Sequence, residues 1–259
     1  QDFTIMGGSV GKVHGEKIAS LIRMARQSNA PIVGLIDSAG GRIQEGSGAY
    51  SLIFAENVEA SGVVPQMSVI MGNCAGGGVY SPALTDFVFM VDKTSQMFIT
   101  GPLVIKEVTG QDVGSQELGG ARVHSQVSGV ADGIGENDPD CLAKVKKLLG
   151  YLPSSYAQKA PVIPCLDDPD RCEEALLDIV PDSPKKVYDM RRLISLIVDH
   201  KEFFEIKPGF ARNMVTGFAR MNGKPVGIVA NNPMFLASAI DCDAADKAAR
   251  FIRTCDCFN

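Results

Sequence analysis

Pro31-Ile-Val-Gly-Leu-Ile-Asp37, followed at once by Ser38-Ala39-Gly40-Gly41-Arg42, is the stretch that decides how this chain reads. The run is apolar without alternation, which suits a strand covered on both faces of a parallel sheet, and the glycines after it supply a tight turn at its carboxyl end. Outward from it the same rhythm repeats. Upstream, Ile18, Leu21, Ile22 and Ala25 recur at helical spacing and predict a helix over 13–27. Downstream, Leu52, Ile53, Ala55 and Val58 predict a second helix, and Gln66 to Met71 predict a second buried strand that ends in Gly72-Asn-Cys-Ala-Gly-Gly-Gly78. A third strand is expected over Phe87 to Val91. Strand, glycine loop, helix, strand is the order of an α/β layer.

Composition fits that reading. The chain has 259 residues, 45% of them hydrophobic and 21% charged, enough to bury a core. A formal charge of −5 gives no basic surface for phosphate backbones, so nucleic acid is excluded as a partner class. No segment approaches the ~20 apolar residues of a membrane span. The seven cysteines are scattered with no C-x2-C spacing; they read as reduced thiols of a cytosol-like compartment, and no metal site is expected.

From Tyr151 to Pro184 the composition turns to Pro, Ser and Asp, predicting a boundary. The expected division is a first domain over 1–152, a linker over 153–182 and the opening of a second domain over 183–259. In the second part a helix is expected over 187–198, a short strand at Phe203 to Ile206, and two strands flanking the hairpin signal Asn222-Gly223. A shift of 230 residues aligns the helical stretch Lys17 to Asn29 with Lys247 to Asn259, matching Lys, Ala, Ile, Arg and Asn in one phase. This predicts a duplication, with most of one copy and the start of another in this chain.

The candidate chemistry lies in the two glycine loops. Backbone N–H groups of the loops Ser38-Ala39-Gly40-Gly41-Arg42 and Cys74-Ala75-Gly76-Gly77-Gly78, the second at a helix start, either converge on one oxygen as an oxyanion hole or serve only as tight turns that let helices pack on strands. Neither loop is a dinucleotide fingerprint or a P-loop. No serine sits in a nucleophile elbow, and His14, His124 and His200 read as solvated or structural.

The ordered motifs Gln1-Asp-Phe-Thr4, Gly7-Gly-Ser9, Arg42-Ile-Gln-Glu-Gly46, Cys74-Ala-Gly-Gly77, Phe98-Ile-Thr-Gly-Pro102, Glu117-Leu-Gly-Gly120, Glu202-Phe-Phe-Glu205 and Gly217-Phe-Ala-Arg-Met-Asn-Gly223 resemble, along the whole chain, the biotin-dependent acyl-CoA carboxyltransferase family. That family includes the β subunit of propionyl-CoA carboxylase and the α subunit of methylmalonyl-CoA decarboxylase. The resemblance implies an α/β crotonase-like (ClpP/crotonase) ββα superhelix in tandem domains, the second truncated here. It implies transfer of CO2 between carboxybiotin and the α-carbon of a short-chain acyl-CoA, propionyl-CoA foremost, through an enolate. The donors carried over by position are Gly40, Gly41, Gly77 and Gly78; the residues expected to bind cofactor are Ala39, Arg42, Gly76, Thr100, Gly101 and Pro102, and Arg42 and Lys106 are available to neutralise CoA phosphates. Implied cofactors are biotin on a partner and coenzyme A as thioester. Implied partners are a biotin carboxyl carrier protein, a biotin carboxylase subunit and further copies in a hexamer. A membrane subunit enters only if the flux is decarboxylation, and the expected location is the cytoplasm, or the mitochondrial matrix in a eukaryote. Two alternatives stand beside this: the catalytic subunit of a biotin-dependent decarboxylase, and a non-catalytic CoA-binding or assembly fragment. The chain departs from the family's Ser-Gly-Gly-Ala-Arg by reading Ser38-Ala-Gly-Gly-Arg42.

Overall fold

Apolar runs punctuated by glycine have few homes other than the middle of a parallel sheet, and the computed structural model, which describes residues 1–46, 48–183 and 186–259, places them there. After a 3-10 turn at Met6–Gly8 come α1 (Lys12–Gln27), β1 (Ile32–Ser38), α2 (Gly48–Ala60) and β2 (Gln66–Ala75). A second 3-10 turn at Gly76–Val79 runs into α3 (Tyr80–Leu84), then β3 (Phe87–Val91) and β4 (Gln96–Phe98). Next are α4 (Pro102–Thr109), α5 (Ser115–Gly119), α6 (Ala121–Gln126), β5 (Gly133–Gly135) and α7 (Asp138–Leu149). The strands are parallel in the order β1-β2-β3-β5. β2 offers one edge first to β3, Met67–Ile70 against Phe87–Met90, and then to β4, Asn73–Ala75 against Gln96–Phe98. The sheet therefore divides where β2 ends, and its centre is Met67, Val69, Ile70 and Phe87 to Val91, each at most 2% exposed.

Three expectations need correcting. β1 is not covered on both faces: among the described residues it pairs only with β2, and Leu35 is 43% exposed. α2 does not bury the predicted stripe; Leu52 and Val58 are exposed, and the buried face is Ala49, Tyr50, Ile53, Glu56, Asn57 and Ala60. That face carries polar groups because they are paired. Asn57 donates to Gln66 Oε1 at 2.9 Å and accepts from Ser81 Oγ at 2.9 Å, while Glu56 takes Arg23. β2 also runs four residues further than its apolar stretch, through Ala75. Its register against β1 slips between Ile36 and Ser38, and Asp37 fills the gap by accepting the Asn73 N–H at 2.9 Å.

The chain divides into two compact units, 1–146 with 154–157 and 147–153 with 158–259. The second holds α8 (Leu176–Ile179), α9 (Met190–Ile197), an antiparallel sheet β6 (Phe204–Ile206), β7 (Met214–Met221) and β8 (Lys224–Asn231), and α10 (Cys242–Cys257). α9 begins three residues later than its spacing suggests, because Asp189 caps it by accepting the Arg191 N–H. β7 and β8 close at Met221↔Lys224 over Asn222 (φ 50°) and Gly223 (φ 75°), the left-handed pair that a tight hairpin requires. Of the stretch expected as a linker, 154–157 falls in the first unit and 153 with 158–182 in the second, where Ile163 N–H donates to Gly223 O and Arg220 reaches Pro161 O. The core is aromatic, with Tyr151 stacked on Phe218 at 6.0 Å and Phe251 tilted against Phe218 at 5.0 Å.

The 230-residue repeat is visible in the backbone. Helices Lys12–Gln27 and Cys242–Cys257 have 16 residues each and lie 230 apart. Their N-caps, Gly11 (φ −96°, ψ −177°) and Asp241 (φ −92°, ψ −176°), share one conformation. Before each cap stand three consecutive left-handed residues, Met6-Gly7-Gly8 and Leu236-Ala237-Ser238, and after each helix a left-handed Asn, Asn29 and Asn259. Even the bonds match: Gly8 N–H to Ile5 O corresponds to Ser238 N–H to Phe235 O. Packing partners differ, α2 for α1 and the β7–β8 hairpin for α10, so the two helices match in backbone path but not in the shared neighbours that a duplication predicts.

Candidate active site

The two glycine loops leave neighbouring strand ends, and the structure brings them into contact. In the first loop Ala39 N–H donates to Gly7 O at 2.8 Å, Gly40 N–H to Ser38 Oγ at 3.1 Å, and Arg42 N–H to Val10 O at 3.0 Å. Among the described residues the Gly41 N–H has no acceptor. In the second loop Gly76 and Gly77 open a helical turn, where the first N–H groups have no intrahelical acceptor. Gly40, at φ 100°, passes so close to Ala75 that an added Cβ would stand 2.5 Å from its carbonyl oxygen. Gly76, at φ 57°, faces open space instead: nothing lies within 4 Å of where its Cβ would be. Cys74, whose thiol burial pushes up to about 12, anchors the second loop by donating to Gly78 O at 3.3 Å.

A residue that sequence reasoning passed over sits between the loops. The Tyr50 ring lies 3.3 Å from the position a Cβ would take on Gly41 and 3.2 Å from that on Gly77, and its Oη lies 3.0 Å from that on Gly78. Tyr50 is 8% exposed, and its hydroxyl makes no hydrogen bond of ordinary geometry among the described residues. Burial pushes the phenol up to about 12, against the lowering influence of the Ser38 hydroxyl. Behind it an apolar cavity of about 340 Å³ lies between α1, α2 and the β1–β2 face, bordered by Ile18, Ile36, Ile53, Gly78 and Ser81. The sequence signal was the tyrosine itself, four residues past Gly46, on a helix whose buried face could not be read from its apolar residues.

The other expected residues fall into two groups. Ala39 and Gly76 belong to the touching loops. Thr100 and Gly101 follow β4, whose Phe98 pairs with Ala75; Gly101 caps α4 and Pro102 is its first residue. Arg42 is engaged, donating to Ser9 Oγ and O at 3.0 and 3.1 Å and to Glu45 at 2.8 Å, so it clamps the first loop to residues 9–12. Glu45 is held below the usual carboxylate range by the Lys12 N–H and then by Arg42. His124 is satisfied at both nitrogens, by Met97 O at 2.6 Å and Ser128 Oγ at 2.8 Å. His200 sits in a 3-10 turn at φ 53°.

The carboxyl transferase domain profile matches residues 1–259. The chain belongs to the carboxyl transferase family. This carboxyl transferase chain is 53% identical over its full length to the methylmalonyl-CoA decarboxylase subunit alpha of Veillonella parvula, covering 52% of that protein. It is 52% identical to the propionyl-CoA carboxylase beta chain of Roseobacter denitrificans, covering 51% of it. Among solved structures, transcarboxylase 12S, described as a hexamer with methylmalonyl-coenzyme A and methylmalonic acid bound, superposes with a TM-score of 0.97 at 46% identity over the whole of this chain and 51% of that one. The fold is the crotonase-like carboxyltransferase fold. The chain spans about half the length of the curated relatives it matches.

Proposed function

We propose that the protein is the carboxyltransferase component of a biotin-dependent acyl-CoA carboxylase, acting on a short-chain acyl-CoA with propionyl-CoA foremost. The observation that carries the proposal is the contact between two strand-end glycine loops that leaves the Gly41 N–H without an acceptor beside the opening N–H groups of the Gly76–Val79 turn. Transfer of CO2 at the α-carbon demands an enolate, whose charge gathers on the thioester oxygen. Donors fixed before the reaction stabilise that charge without reorganising, and losing one typically lowers the rate by about 10²–10³-fold. Ala39, Thr100 and Gly101 line the approach in this proposal, with Arg42 acting through the loop rather than on the CoA phosphates.

The carboxyl group and the acceptor for the α-proton come from carboxybiotin carried by a partner protein. The biotin carboxyl carrier protein, the biotin carboxylase subunit and a hexameric assembly are the proposed partners. The similarity to a decarboxylase subunit supports the reverse flux as a second reading, with a membrane partner; no helix of the described residues is long and apolar enough to cross a membrane itself.

The test is carboxyl exchange by the full-length protein. Gly76→Ala puts a methyl into open space before the loop at a cost of about 1–2 kcal/mol for the left-handed backbone. Exchange should fall by about 100-fold or more while the fold survives. Gly77→Val should act similarly, because its side chain meets the Tyr50 ring. His124→Ala should lower exchange by less than about tenfold, whereas a true general base would cost about 10²-fold or more. Near-normal exchange in Gly76→Ala, with loss in His124→Ala, would overturn the backbone-donor mechanism.

A further inference from the structure

In the second unit, far in sequence from the glycine loops, three side chains of different chemistry converge. The Cys165 thiol, the Asp167 carboxylate and the His200 imidazole each bring one donor atom within 4.8 Å of the other two. His200 Nδ1 lies 3.4 Å from Asp167 Oδ1. Bond lengths of about 2.0–2.2 Å for nitrogen and oxygen on Zn²⁺ place two such ligands about 3.3–3.5 Å apart across a tetrahedral edge. The pair is already at that spacing, and the Cys165 thiol lies within 4.8 Å of both to complete a face.

The surroundings hold the donors in place. Asp167 uses its other oxygen, Oδ2, to accept the His200 N–H at 2.8 Å and to pair with Arg171 at 3.2 Å, leaving Oδ1 turned to the imidazole. His200 keeps a left-handed backbone, φ 53°, that an ordinary residue adopts only at some cost. The strap carrying Cys165 is pinned two residues earlier by Ile163 N–H on Gly223 O, and the same hairpin turn fixes Asp199, whose carboxylate accepts from Asn222 N–H at 3.0 Å and Gly223 N–H at 2.7 Å. The Cys165 thiol is a further hydrogen-bond partner of the Asp199 carboxylate. The thiol therefore already faces a carboxylate. Around the cluster stand Asp167, Asp199 and the Cys165 thiol against one guanidinium, an excess of negative charge once the thiol is ionised.

We propose that Cys165, Asp167 and His200 form a binding site for a borderline divalent cation of the Zn²⁺ class, with a water as fourth ligand. Binding exchanges the thiol proton for a metal–sulfur bond: the cation enters as M²⁺, the proton leaves to solvent, and nothing is oxidised or reduced. The site ties the 163–167 strap to the 199–200 turn. It belongs to no spacing motif, since its ligands are 2 and 33 residues apart, and it is independent of the carboxyl-transfer reading.

The probe is Co²⁺ added to the metal-stripped full-length protein, followed by Zn²⁺ in competition. The expected result is one equivalent per chain with intense visible bands and a sulfur-to-cobalt charge-transfer band, displaced by Zn²⁺. Cys165→Ser should abolish the charge-transfer band, and His200→Ala should weaken binding by at least about 100-fold. Cys242→Ser, an exposed cysteine elsewhere, should leave both unchanged. Zn²⁺ should raise the melting temperature of the parent and of Cys242→Ser but not of His200→Ala. His200 is exposed, so its variant reports even where Cys165→Ser fails to fold. Absence of a stoichiometric cobalt complex, or bands that persist in Cys165→Ser or bind as tightly in His200→Ala, overturns the proposal.

Discussion

Lys247 carries its ammonium into a cage of carbonyl oxygens. It is 2% exposed, and Nζ donates to Lys207 O, Phe210 O and Met214 O at 2.7–2.8 Å, with Ala211 O at 3.4 Å. Those carbonyls belong to a bend in which Lys207 and Ala211 are left-handed, so one side chain stands in for the missing ladder. Lys247→Met keeps the packing and removes the donors; unfolding in urea should show a loss of at least about 2 kcal/mol. Burial draws this ammonium down to about 8 from 10.5, so the folded state carries the full cost of the charge below pH 8. Between pH 8 and 10.5 the unfolded chain holds the extra proton, and stability rises with pH through that window. The slope should disappear in Lys247→Met, which a series of urea titrations across the window checks.

The hairpin β7–β8 shows how much an element depends on one turn. At Gly223 a Cβ would stand 1.9 Å from Ile163 O, on a residue already at φ 75°. Gly223→Ala should destabilise the second unit by at least about 2 kcal/mol, seen as faster amide exchange in β7 and β8 with β2 and β3 unaffected. The Asn222-Gly223 turn was legible in the sequence because left-handed turns tolerate few residue types. So were β3 and the start of β2, whose apolar runs leave no alternative. The end of β2 was not: Gly72 and Asn73 look like a loop until Asp37, from another strand, fills the register slip. A Cβ on Gly72 would stand 2.2 Å from that carboxylate. Nor was the buried face of α2, where the paired Asn57 and Glu56 outrank the apolar Leu52 and Val58. Tyr50 was hidden for the same reason, whereas the glycine loops themselves were plain. The three ligands near Asp167 were illegible because the fold alone brings position 200 to the strap.

Across the whole molecule, two stretches 230 residues apart keep one backbone path with different letters. Where the first copy places Gly7 and Gly8 at left-handed angles, the second uses Ala237 and Ser238. Ala237→Gly should therefore stabilise the protein by about 0.5–1 kcal/mol, relief of the left-handed strain exceeding the added chain entropy, and Gly7→Ala should do the reverse. Opposite shifts in melting temperature would check both. The chain also contains no tryptophan and five tyrosines. Its near-ultraviolet spectrum is thus a tyrosine spectrum, and one of those chromophores is wedged between the two glycine loops. A ligand that spreads the loops must change the polarity around Tyr50, so the difference spectrum between the parent and Tyr50→Phe is a label-free optical gauge of loop separation, built into the molecule without any dye.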